Sequence, residues 1–195
     1  MLIQFITFRE EFILNLSTRD LVITALFTSL TAVGAIISIP IGPISITLQT
    51  LFVVLAGLIL GPKLGALSQI VYVALGLIGL PVFSGGTGGL GAVVRPSFGF
   101  LLGFIVAAYV IGKLTEKNKS LSRIIYSVVV GSFIIYLFGV PYFYFIFTNY
   151  LGKSIDFYGA LKYACIPFIP GDIIKAIVAI TLAKELIPRL SKYTN

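Results

Sequence analysis

Residues 97–114 read SFGFLLGFIVAAYVIGKL, and this stretch decides which solvent the fold is built for. Its one charged residue, Lys113, stands next to its end. At 1.5 Å rise per residue such a helix is about 27 Å long. That is close to the ~30 Å of hydrocarbon in a bilayer. Similar apolar runs lie on either side, over about 21–39, 44–60, 64–80 and 124–147, and from Pro167 or Pro170 to about Ile187. Pro40, Gly61-Pro62 and Pro81 punctuate them, and Pro141 inside the fifth predicts a kink. The expected fold is all-α: an integral membrane protein of six transmembrane helices, with residues 18–195 as one domain.

Composition supports this. Of the 195 residues, 58% are hydrophobic and 11% charged, whereas soluble domains carry about 25% charged residues. Mean hydropathy is +1.07. Met1 to Phe8 is apolar but has neither a basic leader nor a small-residue cleavage site, so a cleavable signal peptide is not expected. Residues 1–17 fit either an amphipathic segment on the membrane surface or a disordered tail.

The net charge of +7 does not point to nucleic acid, because the basic residues stand singly between apolar runs. They sort by side instead. Arg9, Arg19, Lys63, Lys113, Lys117, Lys119, Arg123, Lys184, Arg189 and Lys192 fall on one side of the six-span plan, and Arg95, Lys153 and Lys162 on the other. Excess Lys and Arg mark the cytoplasmic side. Both termini are therefore expected in the cytoplasm, in a multi-pass plasma-membrane protein.

Several chemistries are disfavoured. There is no His and only one cysteine, Cys165, so neither a Cys/His metal site nor a disulfide framework is expected. Common nucleophile–base pairs are missing, which removes most support for an enzyme. No G-x-x-x-x-G-K-[ST] loop is present. Gly152-Lys153-Ser154 imitates its tail, but Phe147 stands where the first glycine should be. The chain is not expected to energise transport with ATP by itself, and no cofactor is implied.

Asp172 and Lys175 put an acidic and a basic residue in the first turns of the last apolar run. Charges inside a membrane are costly and mark function by default. At i and i+3 they share a helix face. A carboxylate there would accept from ligand N–H groups and an ammonium would donate to a carbonyl; a self-neutralising structural ion pair fits the spacing too.

The run Gly79-Leu-Pro-Val-Phe-Ser-Gly-Gly-Thr-Gly-Gly-Leu-Gly91 is apolar but no span. Irregular backbone at membrane depth survives only against protein or a water-filled cavity. A lid over a cavity is expected between helices 3 and 4 on the outer side, with Phe83 and Gly86 near the ligand. Arg95 suits a carboxylate through its planar fork, and equally a lipid headgroup. Gln49, with Thr47 and Thr50, would hydrogen-bond a ligand or a neighbouring helix. Tyr136, Tyr142, Tyr144 and Tyr150 fit an aromatic belt or a cavity wall. Ala25, Ser29 and Ala32 are small residues in the first helix, and Ala25 and Ser29 form a small-xxx-small pair that permits close helix approach, inside this chain or to a partner.

The combination resembles a known family. Ser17-Thr-Arg-Asp-Leu-Val, Ala25-Leu-Phe-Thr-Ser-Leu-Thr-Ala-Val-Gly-Ala35, Ile46-Thr-Leu-Gln-Thr-Leu-Phe52, Leu60-Gly-Pro-Lys-Leu-Gly-Ala66, Gly76-Leu-Ile-Gly-Leu-Pro-Val-Phe83, the Gly-Gly-x-Gly-Gly run and Pro170-Gly-Asp-Ile-Ile-Lys175 are similar to the biotin-specific S components of energy-coupling-factor (ECF) transporters. The resemblance covers nearly the whole chain after Ser17. It implies a membrane subunit that captures biotin from outside, with Asp172 and Lys175 contacting the vitamin. It also implies energising partners, an ECF transmembrane coupling protein and two ATPase subunits, docked on small residues of helix 1. Ser29 stands where the family's A-x-x-x-A usually has a second alanine. An S component for another vitamin, or a stand-alone secondary transporter with Asp172 carrying a proton, also fits the residues.

Overall fold

The computed structural model describes residues 16–191. The N-terminal segment expected over 1–17 lies outside the described residues, apart from Leu16 and Ser17. Helix α1 spans Thr18–Ile36. Ser17 starts it with a reciprocal cap: its hydroxyl accepts from the Asp20 N–H at 3.1 Å, and the Asp20 carboxylate accepts from the Ser17 N–H at 3.1 Å. This satisfies donors that a helix start leaves open.

Residues 38–47 correct the expected end of the first span and start of the second. They form an antiparallel hairpin, β1 (Ser38–Ile41) and β2 (Ile44–Thr47), pairing Ser38 with Thr47 and Ile41 with Ile44. Pro40 and Pro43 disfavour a helix here, and Gly42 takes φ +64° in the turn.

Helix α2 spans Gln49–Leu77, with a break at Gly61, whose φ of 78° and ψ of −172° leave the helical region ahead of Pro62. The two arms lie side by side. The Gln49 side chain reaches the Tyr72 hydroxyl at 2.7 Å, whereas a straight helix would separate them by about 34 Å. The expected break between spans 2 and 3 is therefore a tight reversal, and Gly112 of the next helix backs onto it.

The glycine-rich connection carries a bridge between Phe83 and Thr87 and a 3₁₀ turn at Leu90–Val94. Helix α3 (Phe98–Thr115) packs against α2 on one side and α4 (Leu121–Phe145) on the other. Helix α4 is continuous through Pro141. The irregularity expected there falls later, in a π turn at Ile146–Tyr150. A short helix that the sequence reading did not include, α5 (Phe157–Ala164), is capped by the Asp156 carboxylate, which accepts from the Gly159 N–H at 2.8 Å. After a 3₁₀ turn at Ile166–Phe168, α6 runs over Ile169–Ser191 against α2.

Among the described residues, five helical stretches have the length and apolar character to cross a membrane, with α2 counted as one. Outward faces carry Val129, Phe133 and Leu137 on α4 and Ile173, Ile174 and Ile177 on α6, all exposed. Such continuous apolar faces suit lipid.

Candidate ligand cavity

Where the hairpin, the glycine-rich segment and the starts of α3 and α6 converge, they enclose a cavity of about 250 Å³. Its apolar wall comes mainly from α3. Phe98, Leu101 and Phe104 recur every three residues and so share one helix face. Phe83 closes the wall from the glycine-rich segment, edge-on to Tyr72 with ring centroids 5.6 Å apart.

The polar wall is built around α6. The ammonium of Lys175 lies 2.6 Å from Oδ1 of Asp172, the geometry expected from the i, i+3 spacing. Lys175 is 9% exposed. Burying such a charge is tolerable only when it is paired and hydrogen-bonded, and Lys175 also donates to the Thr47 carbonyl at 3.0 Å. The Asp172 carboxylate accepts from the Thr50 hydroxyl at 3.3 Å on Oδ1 and from the Tyr136 hydroxyl on Oδ2. Three elements thus meet at one carboxylate: α6, the first arm of α2, and α4.

A second hydrogen-bond chain ties the polar wall to the glycine-rich segment. The Thr47 hydroxyl donates to Gln49 Oε1 at 2.9 Å, Gln49 Nε2 donates to the Tyr72 hydroxyl at 2.7 Å, and that hydroxyl donates to the Val82 carbonyl at 3.0 Å. Arg95 is exposed at the rim and donates to the Thr87 hydroxyl at 3.1 Å, which fixes the guanidinium beside the opening.

Of the residues singled out from sequence, Asp172, Lys175, Arg95, Gln49 and Phe83 line this one cavity. Gly86 and Tyr142 do not. Gly86 is exposed, and with φ +66° it serves the turn in which its N–H donates to the Phe83 carbonyl at 3.0 Å. Tyr142 donates its hydroxyl to the Val93 carbonyl and packs beside Phe98, so it buttresses the 3₁₀ turn from behind. Leu90, at the far end of the glycine-rich run, is 76% exposed. Of the tyrosines on α4 and the π turn after it, Tyr136 lines the cavity, Tyr144 packs on Phe157, and Tyr150 is exposed. Sequence reading missed Thr87 and the α3 aromatic face; the three-residue recurrence of Phe98, Leu101 and Phe104 was the available signal.

Ala25 and Ser29 are exposed on the outer face of α1 and Ala32 is half-buried. The opposite face packs inward through Thr24, Phe27, Thr28 and Thr31. No residue of α1 lines the cavity.

The sequence profile of the BioY family matches residues 9–192. The chain is 43% identical over 168 residues to the biotin transporter BioY of Thermotoga maritima, covering 86% of this chain and 95% of that protein. It is 38% identical over 171 residues to the probable biotin transporter BioY of Pyrococcus horikoshii, covering 88% and 98%. The crystal structure of the S component for biotin from an ECF-type ABC transporter superposes with a TM-score of 0.68 at 33% identity, covering 86% of this chain and 90% of that one.

Proposed function

The chain belongs to the BioY family, and from that premise we propose that it is a membrane S component that captures biotin from the outer side, for uptake energised by partner proteins. The observation that carries this reading is the Asp172–Lys175 pair, its lysine buried and its aspartate half-buried, on the wall of a cavity of about 250 Å³.

The pair's unused hydrogen-bonding capacity matches the ligand. An ammonium has three donors, and two are taken by Asp172 and Thr47. A carboxylate has about four acceptor positions, and three are taken by Lys175, Thr50 and Tyr136. One donor and one acceptor are left. The ureido ring of biotin carries a carbonyl beside an N–H and complements both. The face of Phe98, Leu101 and Phe104, with Phe83 opposite, suits the sulfur ring and aliphatic chain. Arg95 at the rim suits the carboxylate through a bidentate contact.

In this reading the two arms of α2 each cross the membrane, making six crossings. Arg19, Lys63, Lys113, Lys117, Lys119, Arg123, Lys184 and Arg189 then gather on the cytoplasmic side, and both termini lie there, as positive-inside topology favours. The cavity opens outward. Ala25, Ser29 and Ala32 offer the face on which a transmembrane coupling protein, itself bound to two ATPase subunits, would sit.

Titrating biotin into the detergent-solubilised protein without nucleotide tests the assignment, with riboflavin and thiamine as controls. Heat on biotin addition, and its absence with the controls, is expected. No heat with biotin, or tighter binding of another vitamin, overturns the reading.

A further inference from the structure

The Tyr136 hydroxyl is the donor on Oδ2 of Asp172. The two residues lie 36 positions apart on different helices. The Tyr136 ring is held edge-on by Phe100, with centroids 6.1 Å apart at 87°, and both residues line the cavity. The hydroxyl therefore has a fixed place on the carboxylate at the cavity wall.

That place limits what the carboxylate can grip. Oδ1 already accepts from Lys175 at 2.6 Å and Thr50 at 3.3 Å. With the Tyr136 hydroxyl on it, Oδ2 keeps one of its two acceptor positions; without that hydroxyl it would keep both. A cyclic guanidinium presents two adjacent cationic N–H groups and so asks this carboxylate for two acceptor positions. A neutral cyclic urea asks this carboxylate for one N–H contact and brings no charge. We infer that Tyr136 is a specificity-determining residue: its hydroxyl occupies Oδ2 of Asp172 and so biases the cavity toward neutral cyclic ureas and against cyclic guanidinium ligands. The inference deepens the biotin reading and rests on it.

The probe pair is biotin and 2-iminobiotin, which differ at the ureido oxygen. Both are titrated into wild-type protein and Tyr136→Phe at a pH where the imino ring is protonated. Loss of the hydroxyl frees Oδ2, and the ratio of Kd for iminobiotin to Kd for biotin is expected to fall by roughly tenfold, the scale of one hydrogen bond to a charged group. An unchanged ratio, whether both ligands weaken together or neither moves, overturns the inference, because packing alone would act on both ligands equally. If Tyr136→Phe does not fold, 3-fluorotyrosine placed at position 136 keeps the hydroxyl and makes it a stronger donor. The ratio should then rise, and no change is again decisive against the inference. Wild-type protein that binds neither ligand would instead remove the biotin reading itself.

Discussion

Phe83 lies across the α-carbon of Gly76: a β-carbon added to Gly76 would stand 2.0 Å from Cζ of that ring and 2.2 Å from Cε1. The contact couples the second arm of α2 to the cavity, because the same ring forms part of the cavity wall. The Gly76 carbonyl also accepts from the Gly89 N–H at 2.7 Å, so the glycine-rich segment is strapped to the helix on both sides of Phe83. Only a residue without a side chain allows this approach.

Gly76→Ala is therefore expected to push Phe83 out of the wall. Overpacking of this kind costs about 1–3 kcal/mol, and biotin affinity should fall by about tenfold or more. Calorimetric titration and thermal unfolding of the purified protein measure the two effects. The double variant Gly76→Ala/Phe83→Leu makes room for the new methyl and should recover part of the stability but not the affinity. Additive losses in the double variant would show that the two residues are not coupled.

Asp172→Asn leaves the buried Lys175 ammonium without its counter-charge and Lys175→Met leaves the half-buried Asp172 carboxylate without its own, at about 3–5 kcal/mol. At 1.4 kcal/mol per decade, biotin affinity should fall by several hundred-fold or more, while helix content by circular dichroism stays at the wild-type level. Normal binding by both variants would make the pair purely structural and displace the proposed site.

Asp172 and Lys175 were legible in the sequence because a charge in an apolar run has few innocent explanations. Arg95 was legible because it stands alone beside the glycine run. The Gly61-Pro62 break was legible from local backbone chemistry, and two crossings with three residues between them already required a tight reversal. What escaped depends on distance or on ambiguous apolar texture. Ile44-Ser-Ile-Thr-Leu48 reads as well for a helix end as for a strand, and only pairing with Ser38–Ile41 makes it β. Tyr136 meets Asp172 across 36 residues, so nothing local announces the contact. Gly86 looked like a ligand-approach glycine, but the turn under Phe83 already accounts for its positive φ.

The Tyr72 hydroxyl links Gln49 to the Val82 carbonyl, and Tyr72 is completely buried. Tyr72→Phe keeps the ring against Phe83 but strands the Gln49 amide and that carbonyl. A stranded buried group costs about 1–3 kcal/mol, so thermal unfolding should shift downward. Biotin should also dissociate faster, because the glycine-rich segment loses an anchor. Stopped-flow displacement with excess unlabelled ligand follows that rate. An unchanged off-rate would mean that this chain supports the fold without holding the cavity closed.

Ala25 and Ser29 stand one turn apart on the exposed face of α1, between exposed Val22, Leu26 and Val33. The Ser29 hydroxyl donates to the Ala25 carbonyl at 2.9 Å, so it is satisfied within its own helix and presents no unmet polar group to a neighbour. Small side chains on such a stripe set how closely another helix can approach. Ala25→Trp and Ser29→Trp place bulk outward, away from a cavity to which α1 contributes no wall. Equilibrium binding of biotin by the purified variants should therefore match wild type, while biotin uptake by cells co-expressing the coupling protein and ATPases falls severalfold or more. Uptake is to be compared with and without those partners. Variants that lose binding along with uptake would show that the stripe packs inside this chain, and variants with normal uptake would show that it faces lipid. Full uptake by the subunit alone would point instead to a stand-alone transporter.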